Sequence, residues 1–206
     1  MSPEKIYEAL TTGAMKVVAQ SLTDQQKRVV SEAVSGRNLG SLESGDASRM
    51  PNRCASNPRL TDPARTAAWN GWGVDAGNTR FQTVKGAGLT ADQVPRLKLK
   101  WAFGYPSSVA AFGQPTVASG RVFVGSDNGY VYSLSAATGC VYWSFQAKGW
   151  VRNAVTVGPV KGYGSIRYAV YFGDAKTNIY AVDAQNGNLL WTTRGLRPHT
   201  NRYQVP

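Results

Sequence analysis

Residues 121–146, RVFVGSDNGYVYSLSAATGCVYWSFQ, recur as residues 169–194, AVYFGDAKTNIYAVDAQNGNLLWTTR. A shift of 48 positions lays Gly125 on Gly173, Tyr132 on Tyr180, Ala136 on Ala184, Gly139 on Gly187 and Trp143 on Trp191. Such a period confines the chain to architectures that stack one supersecondary unit on the next, because a single unit cannot bury its own apolar face. In each copy the β-branched and aromatic residues, Val122, Val124, Val131, Tyr132, Val141 and Trp143 in the first, fall in short runs bounded by Gly, Asn, Asp and Ser. That is the pattern of three strands and two turns. The tighter turn, residues 136–139 against 184–187, ends in a glycine that can take positive φ. Pro115-Thr116-Val117 and Val155-Thr156-Val157 are the candidates for the inner strand that completes each four-stranded blade.

A third copy of the strand-end tryptophan lies upstream. Trp101-Ala102-Phe103 aligns with Trp143-Ser144-Phe145 and Trp191-Thr192-Thr193, and residues 97–103 alternate apolar and basic side chains, which predicts another strand. The tryptophans are 42 and 48 residues apart. The extra length falls in the second blade's hairpin, residues 160–167, whose glycines place it at the surface. Residues 194–206 show no alternation where the next inner strand is due and are predicted to be irregular.

Ahead of the blades, residues 1–36 read as helical. Ser2-Pro3 offers a cap and a first-turn proline, while Thr23 to Gln26 has capping-box spacing before Val29, Val30, Ala33 and Val34, with Gly36 as the stop. Residues 37–68, rich in Arg, Ser, Asn and Pro, read as an irregular linker, and residues 69–193 as the partial propeller. The two cysteines, Cys54 and Cys140, can pair or remain as buried or free thiols; with His199 the only histidine, they make neither a zinc site nor a CxxCH haem attachment.

The net charge of +11 raises the question of nucleic acid. Residues 1–60, 61–120 and 121–206 carry 8, 6 and 9 basic side chains against 6, 3 and 3 acidic ones. So even a spread provides no basic face, and no nucleic-acid partner is expected. No apolar run is long enough for a membrane span, and the first ten residues, MSPEKIYEAL, lack the pattern of a signal peptide.

Three stretches carry a resemblance. ALTTGAMKVVAQSLTDQQKRVVSEAVSGR, residues 9–37, resembles the last third of a class I cytochrome c domain; by that analogy Met15 is the haem iron ligand, and otherwise it is an apolar side chain between two helices. WNGWGVDAGNTRFQ, residues 69–82, resembles the lead-in to the first blade of quinoprotein dehydrogenases. The repeated Ala, Thr/Asn-Gly and Trp of residues 136–143 and 184–191 resemble the tryptophan-docking motif of propellers that bind pyrroloquinoline quinone (PQQ). In this order, and with GQPTVASGRVFVGS following, they are most similar to the cytochrome-type PQQ-dependent polyvinyl alcohol dehydrogenase family, over residues 6–193.

The fold class expected is therefore mainly β: an incomplete PQQ-type β-propeller of about two blades plus fragments, preceded by a small α-helical cytochrome c-like remnant. The resemblance implies an eight-bladed ring that oxidises secondary alcohols, a polymer among them, to ketones with PQQ and a calcium ion. It also implies a periplasmic setting and a cytochrome c or fused haem c domain as electron acceptor. Two blades cannot close that ring, so the chain reads as a fragment, inactive alone, with an exposed apolar blade face. PQQ in such propellers sits where the inner strands converge, here residues 111–114 and 151–153. Arg152 can pair with a quinone carboxylate, and Gln114 and Asn153 can hydrogen-bond carbonyl oxygens; the other reading is ordinary strand-end polar residues. The resemblance assigns no catalytic base or calcium ligand, and the adjacent-cysteine disulfide of several quinoprotein alcohol dehydrogenases is absent. The alternative is a non-catalytic propeller scaffold that pairs a partner peptide with a sheet edge.

Overall fold

The computed structural model describes residues 3–36, 38–40, 50–65, 68–74, 77–106, 108 and 110–195. The tail from residue 196 and parts of the linker lie outside them. The chain folds as two compact units, Met1–Met50 with Tyr105–Val109, and Pro51–Gly104 with Ala110–Pro206.

In the first unit, α1 (Pro3–Thr11) and α2 (Asp24–Ser35) are joined by successive turns. The predicted capping box forms: Thr23 Oγ1 accepts from the Gln26 N–H at 3.2 Å, and Gln26 Oε1 accepts from the Thr23 N–H at 2.8 Å. Gly36 ends α2 in the left-handed conformation with φ 67°. Asp24 links the helices, accepting from the Tyr7 hydroxyl and from Arg28 Nε, whose guanidinium also lies 5.0 Å from the Tyr7 ring centroid. Leu10, Ala19 and Ser31 are buried, whereas Val17, Val18 and Val34 are about 70% exposed and Met15 is half exposed.

In the second unit each repeat copy is one four-stranded antiparallel meander. The first runs β1 (Thr116–Ala118), β2 (Arg121–Gly125), β3 (Tyr130–Ser135), β4 (Val141–Gln146); the second runs β5 (Thr156–Pro159), β6 (Tyr168–Gly173), β7 (Asn178–Asp183), β8 (Leu189–Arg194). Both inner strands start where the sequence places them. The repeat extends to irregularities, since the register slips between Ser133 and Leu134 in one blade and between Ala181 and Val182, 48 residues on, in the other. The hairpin of residues 160–167 is mostly exposed, as its glycines predict.

Facing sides of the two blades make the core. Phe123, Val131 and Trp143 cluster with Val155, Val157, Val170, Phe172, Tyr180 and Val182, all nearly inaccessible. Trp143 reaches across: its indole donates to the Ala184 carbonyl at 3.1 Å, and its ring lies 2.7 Å from where a Cβ on Gly187 would stand. Gly187 has φ 78°, so glycine there serves both the turn and the close approach. Trp101 docks on the first blade in the same way, donating to the Ala136 carbonyl at 3.1 Å beside Gly139. The segment holding it, residues 97–103, corrects the sequence expectation: it forms no strand. Alternation specifies a wet and a dry face, yet a strand also needs a neighbouring strand for its backbone, and here the contacts with the first blade are made by side chains, Trp101 on Ala136 and Phe103 with its ring centroid 5.1 Å from that of Tyr132. In the second blade Ile179 and Leu189 are 43% and 49% exposed.

Residues 51–65 have little regular structure and are bonded to the blades. Cys54 and Cys140 form a disulfide, which closes the alternatives the sequence leaves open. Beside it the backbone pairs with β4, Val141 N–H to Asn52 O at 2.9 Å and Cys54 N–H to Val141 O at 3.0 Å. Further on, Arg121, only 2% exposed, donates to Asn57 Oδ1 at 2.7 Å, Pro58 O at 2.6 Å and Gln185 O at 3.1 Å, with its guanidinium 4.3 Å from the Tyr142 ring centroid. It thus pins the linker to a turn of the second blade. Arg121→Met keeps the stem's packing and removes three hydrogen bonds whose acceptors each keep a second donor, the Asn57 amide for Gln185 O and the Gln185 amide for Asn57 Oδ1 and Pro58 O, so it is expected to cost about 1 kcal/mol, measured by urea unfolding; an unchanged midpoint would show that the pin contributes nothing.

Candidate functional site at the inner ends of the blades

The lead-in segment is a clamp across the inner strands. Trp69 pairs with Val117 in both directions at 2.8 Å, adding one more residue to the inner edge of β1. Asn70 then uses its side chain as a peptide bond would be used, accepting from the Val157 N–H at 2.8 Å and donating to the Val157 carbonyl at 2.7 Å. Gly71 N–H donates to Thr116 Oγ1 at 2.9 Å, and that hydroxyl donates to the Val155 carbonyl. One short segment therefore satisfies exposed edges of both blades.

Gln114 belongs to this clamp. Its amide lies between the Trp72 carbonyl, to which it donates at 2.6 Å, and the Trp69 indole, from which it accepts at 2.7 Å. Asn153 is exposed, and its carbonyl stands 3.1 Å from where a Cβ on Gly113 would be, so the loops before β1 and β5 touch. Arg152 sits between two aromatic rings, 3.6 Å from the Trp150 centroid and 4.5 Å from that of Phe112. Cation–π contacts hold the guanidinium while leaving its in-plane N–H donors for an incoming acceptor. The structure thus brings Arg152, Asn153 and the residues beside Gln114 to one end of the blades. Sequence reasoning missed the rings. Trp150, two residues before Arg152, was the available signal.

The loop carrying Arg152 is fixed from both blades. Ala147 N–H donates to Gly129 O at 2.8 Å and Val151 N–H to Ser126 O at 2.9 Å in the first; Lys148 N–H donates to Tyr180 Oη at 3.1 Å and Ala175 N–H to Trp150 O at 3.0 Å in the second. Tyr180 is itself oriented by Asp174, donating to its Oδ2 at 2.8 Å, while Asp174 also accepts from Lys176 N–H, Asn178 N–H and the Asn178 amide. Burial raises the Asp174 carboxyl, but hydrogen bonds from Asn178, Tyr180 and Lys176 outweigh it and hold the group below the ordinary 3.8. A carboxyl depressed on folding stabilises the fold above its unfolded pKa. That contribution is lost as pH falls from about 4 through the folded value. Chemical denaturation at a series of pH values should show this acid-side loss, and Asp174→Asn should flatten it; an identical slope in the variant would refute the assignment.

Among the described residues no three His, Cys, Asp or Glu side chains gather, so these residues do not fit a calcium cage. Nor is any helix among them long and apolar enough to cross a membrane.

Residues 68–204 match the PQQ_2 family, described as outer membrane protein assembly factor BamB. The chain belongs to the PQQ_2 family. A polyvinylalcohol dehydrogenase from Pseudomonas sp is 37% identical over 203 residues, covering 93% of this chain and 31% of the relative. A second, from Sphingopyxis sp. (strain 113P3), is 34% identical over 91% of this chain and 30% of its own length. This PQQ_2 chain thus spans about a third of the curated relatives it matches, and the likeness reaches beyond the blades into the N-terminal helices. Solved quinohemoprotein alcohol dehydrogenases share the fold. That of Comamonas testosteroni gives a TM-score of 0.50 at 24% identity over 64% of this chain and 20% of its own. One from Pseudomonas putida HK5 gives 0.53 at 22% identity over 70% and 22%. The two PQQ_2 blades are accordingly quinoprotein-type propeller blades.

Proposed function

We propose that this chain supplies one wall of the PQQ chamber of a quinoprotein alcohol dehydrogenase of the polyvinyl alcohol dehydrogenase kind. The observation that carries the reading is Arg152 held between Trp150 and Phe112 on a loop pinned to both blades. Its free donors suit a quinone carboxylate, the aromatic rings suit a planar ligand, and Asn153 stands beside it to donate to a carbonyl oxygen. Gln114 contributes indirectly, since its amide already holds Trp69 and Trp72. PQQ, when bound, accepts two electrons from the alcohol; the protein orients it and fixes the charge around it. Secondary alcohols becoming ketones, transfer to cytochrome c and a periplasmic setting complete the reading. The Cys54–Cys140 disulfide supports the last, because such bonds persist in oxidising compartments. The helices around Met15 take the place of a cytochrome c end, with Met15 as the thioether to haem when the remainder of that domain is present.

Titrating PQQ into the purified chain, with calcium, tests this by the quinone's absorbance. Binding should weaken about tenfold or more in Arg152→Ala, because a charge-assisted pair is lost, and two blades alone should reduce no dye with a secondary alcohol. No spectral change in the wild type would reject the cofactor reading. A scaffold role is the second reading, favoured by the description of the family and by the outer edge of β8, which is unpaired among the described residues. It gains if a peptide adds to β8 while PQQ does not bind.

A further inference from the structure

On the end of the blades that carries Arg152, but beside β7 and β8 rather than the inner strands, a cavity of about 390 Å³ is lined by Lys148, Lys176, Asn178, Thr192, Thr193 and Arg194. Three of these side chains are cations and none is an acid. They come from three segments that the backbone draws together. Lys148 lies on the loop between the blades, and Lys176 Cγ is 3.1 Å from where a Cβ on Gly149 would stand, so the second lysine's stem crosses the first one's loop. Gly195 N–H donates to the Thr177 carbonyl at 2.6 Å, which ties the residue after Arg194 to the residue after Lys176. Thr177 has φ 64° where the first blade, 48 residues earlier, has Gly129 at φ 87°, so the second blade accepts backbone strain at the residue between Lys176 and Asn178. The carboxylate of this turn, Asp174, takes no part in balancing the cations by contact: it accepts from the Lys176 and Asn178 N–H groups, the Asn178 amide and the Tyr180 hydroxyl. Among the described residues the side chains of Lys148, Lys176 and Arg194 make no ion pair or hydrogen bond, and neither do the Thr192 and Thr193 hydroxyls. Like charges gathered on one cavity repel one another until an anion enters.

We propose that this cavity binds a compact multivalent oxyanion, one carrying two or three carboxylate or phosphate groups, through Lys148, Lys176 and Arg194. Arg194 offers a planar fork that takes one such group bidentately, the two lysines act as point charges, and the threonine hydroxyls supply further donors. A singly charged anion meets only part of that set. A second copy of this chain is a poor occupant, because each copy carries a net charge of +11. The site is independent of the quinone wall: Arg152 lies between Trp150 and Phe112, and neither ring lines this cavity.

Calorimetry on the whole chain at low ionic strength, with citrate and tripolyphosphate as probes and acetate as the comparison, tests this. At least one probe should bind about tenfold or more tighter than acetate, and the tighter of the two identifies the preferred group. Lys148→Gln combined with Lys176→Gln should weaken that probe about tenfold or more. Lys161→Gln combined with Arg167→Gln removes the same charge from the exposed hairpin and should change binding less than about twofold. Both pairs are exposed and should keep the circular dichroism spectrum of the wild type. Equal losses from the two pairs would mean that the probe answers only to net charge, and overturn the proposal. Acetate binding as tightly as both probes, or no heat from either probe, does the same. Tighter binding of a short oligodeoxythymidylate also overturns it, by making the patch a nucleic-acid surface. PQQ is itself a tricarboxylate, so its absorbance titration is repeated on the variants: the Lys148 and Lys176 pair should leave it unchanged, and Arg152→Ala should leave the anion probe unchanged. Loss of PQQ binding in the lysine pair would merge the two sites and overturn the proposal, whereas anion binding without any PQQ binding rejects the quinone reading and leaves this site.

Discussion

Replacing Cys54 and Cys140 by serine, singly or together, should lower the unfolding free energy of the blade unit by about 2–5 kcal/mol. The two residues lie 86 apart in sequence, and the chain-entropy estimate for a loop of that size is about 4.5 kcal/mol. The loss falls below that figure to the extent that other bonds still restrain the linker. Asn52, Cys54, Asn57 and Pro58 are all hydrogen-bonded to the blades, so the reduced protein keeps a route to the same pairing. Urea unfolding with and without a thiol reductant measures the effect, and the serine variants should be insensitive to reductant. If reduction leaves the wild-type midpoint where it was, the disulfide carries no stabilising role. Arg121→Met in the serine background should cost more than in the wild type, since disulfide and guanidinium hold one segment and share its ordering entropy.

The second large effect is expected at the tryptophan between the blades. Trp143→Ala should cost about 3–5 kcal/mol, the usual loss for a large aromatic removed from a core, because the ring is 4% exposed and packs against Phe123 with centroids 5.9 Å apart. Trp143→Phe keeps much of the area and removes the indole donor to Ala184, so it should cost less, with about 1 kcal/mol due to the hydrogen bond. From the other side, Gly187→Ala places a methyl in the space of the Trp143 ring and a side chain at positive φ. Overpacking and backbone strain together predict about 2–4 kcal/mol. The pair should be strongly non-additive: once Trp143 is alanine, Gly187→Ala retains only its backbone cost. Additive losses across that cycle would mean that ring and glycine do not act as one contact. Trp101 and Gly139 repeat the arrangement on the first blade, where the ring is only partly buried and the effect should be smaller.

Much of this was legible because it is local and repeated. The period of 48, the turn glycines and the alternation of Val, Tyr and Trp specify the two meanders and their inner strands. Capping residues at Thr23, Gln26 and Gly36 specify α2, for each acts within four residues of its partner. Residues 97–103 mark where local information fails: period-two alternation is present, but a strand depends on a neighbour that the segment itself cannot supply.

The sequence by itself determined the blades, the docking tryptophans and the family, since these follow from patterns that recur at fixed spacing. Only the tertiary structure decided which side chains meet across long separations. It paired Cys54 with Cys140, gave the Arg121 guanidinium its linker acceptors, turned Asn70 into a clamp on β5, and closed Trp150 and Phe112 about Arg152. The physical reason is the same in each case. A hydrogen bond, ring contact or disulfide depends on separations of a few ångströms, and those are set by how one blade packs on the next, which no single stretch of the chain encodes.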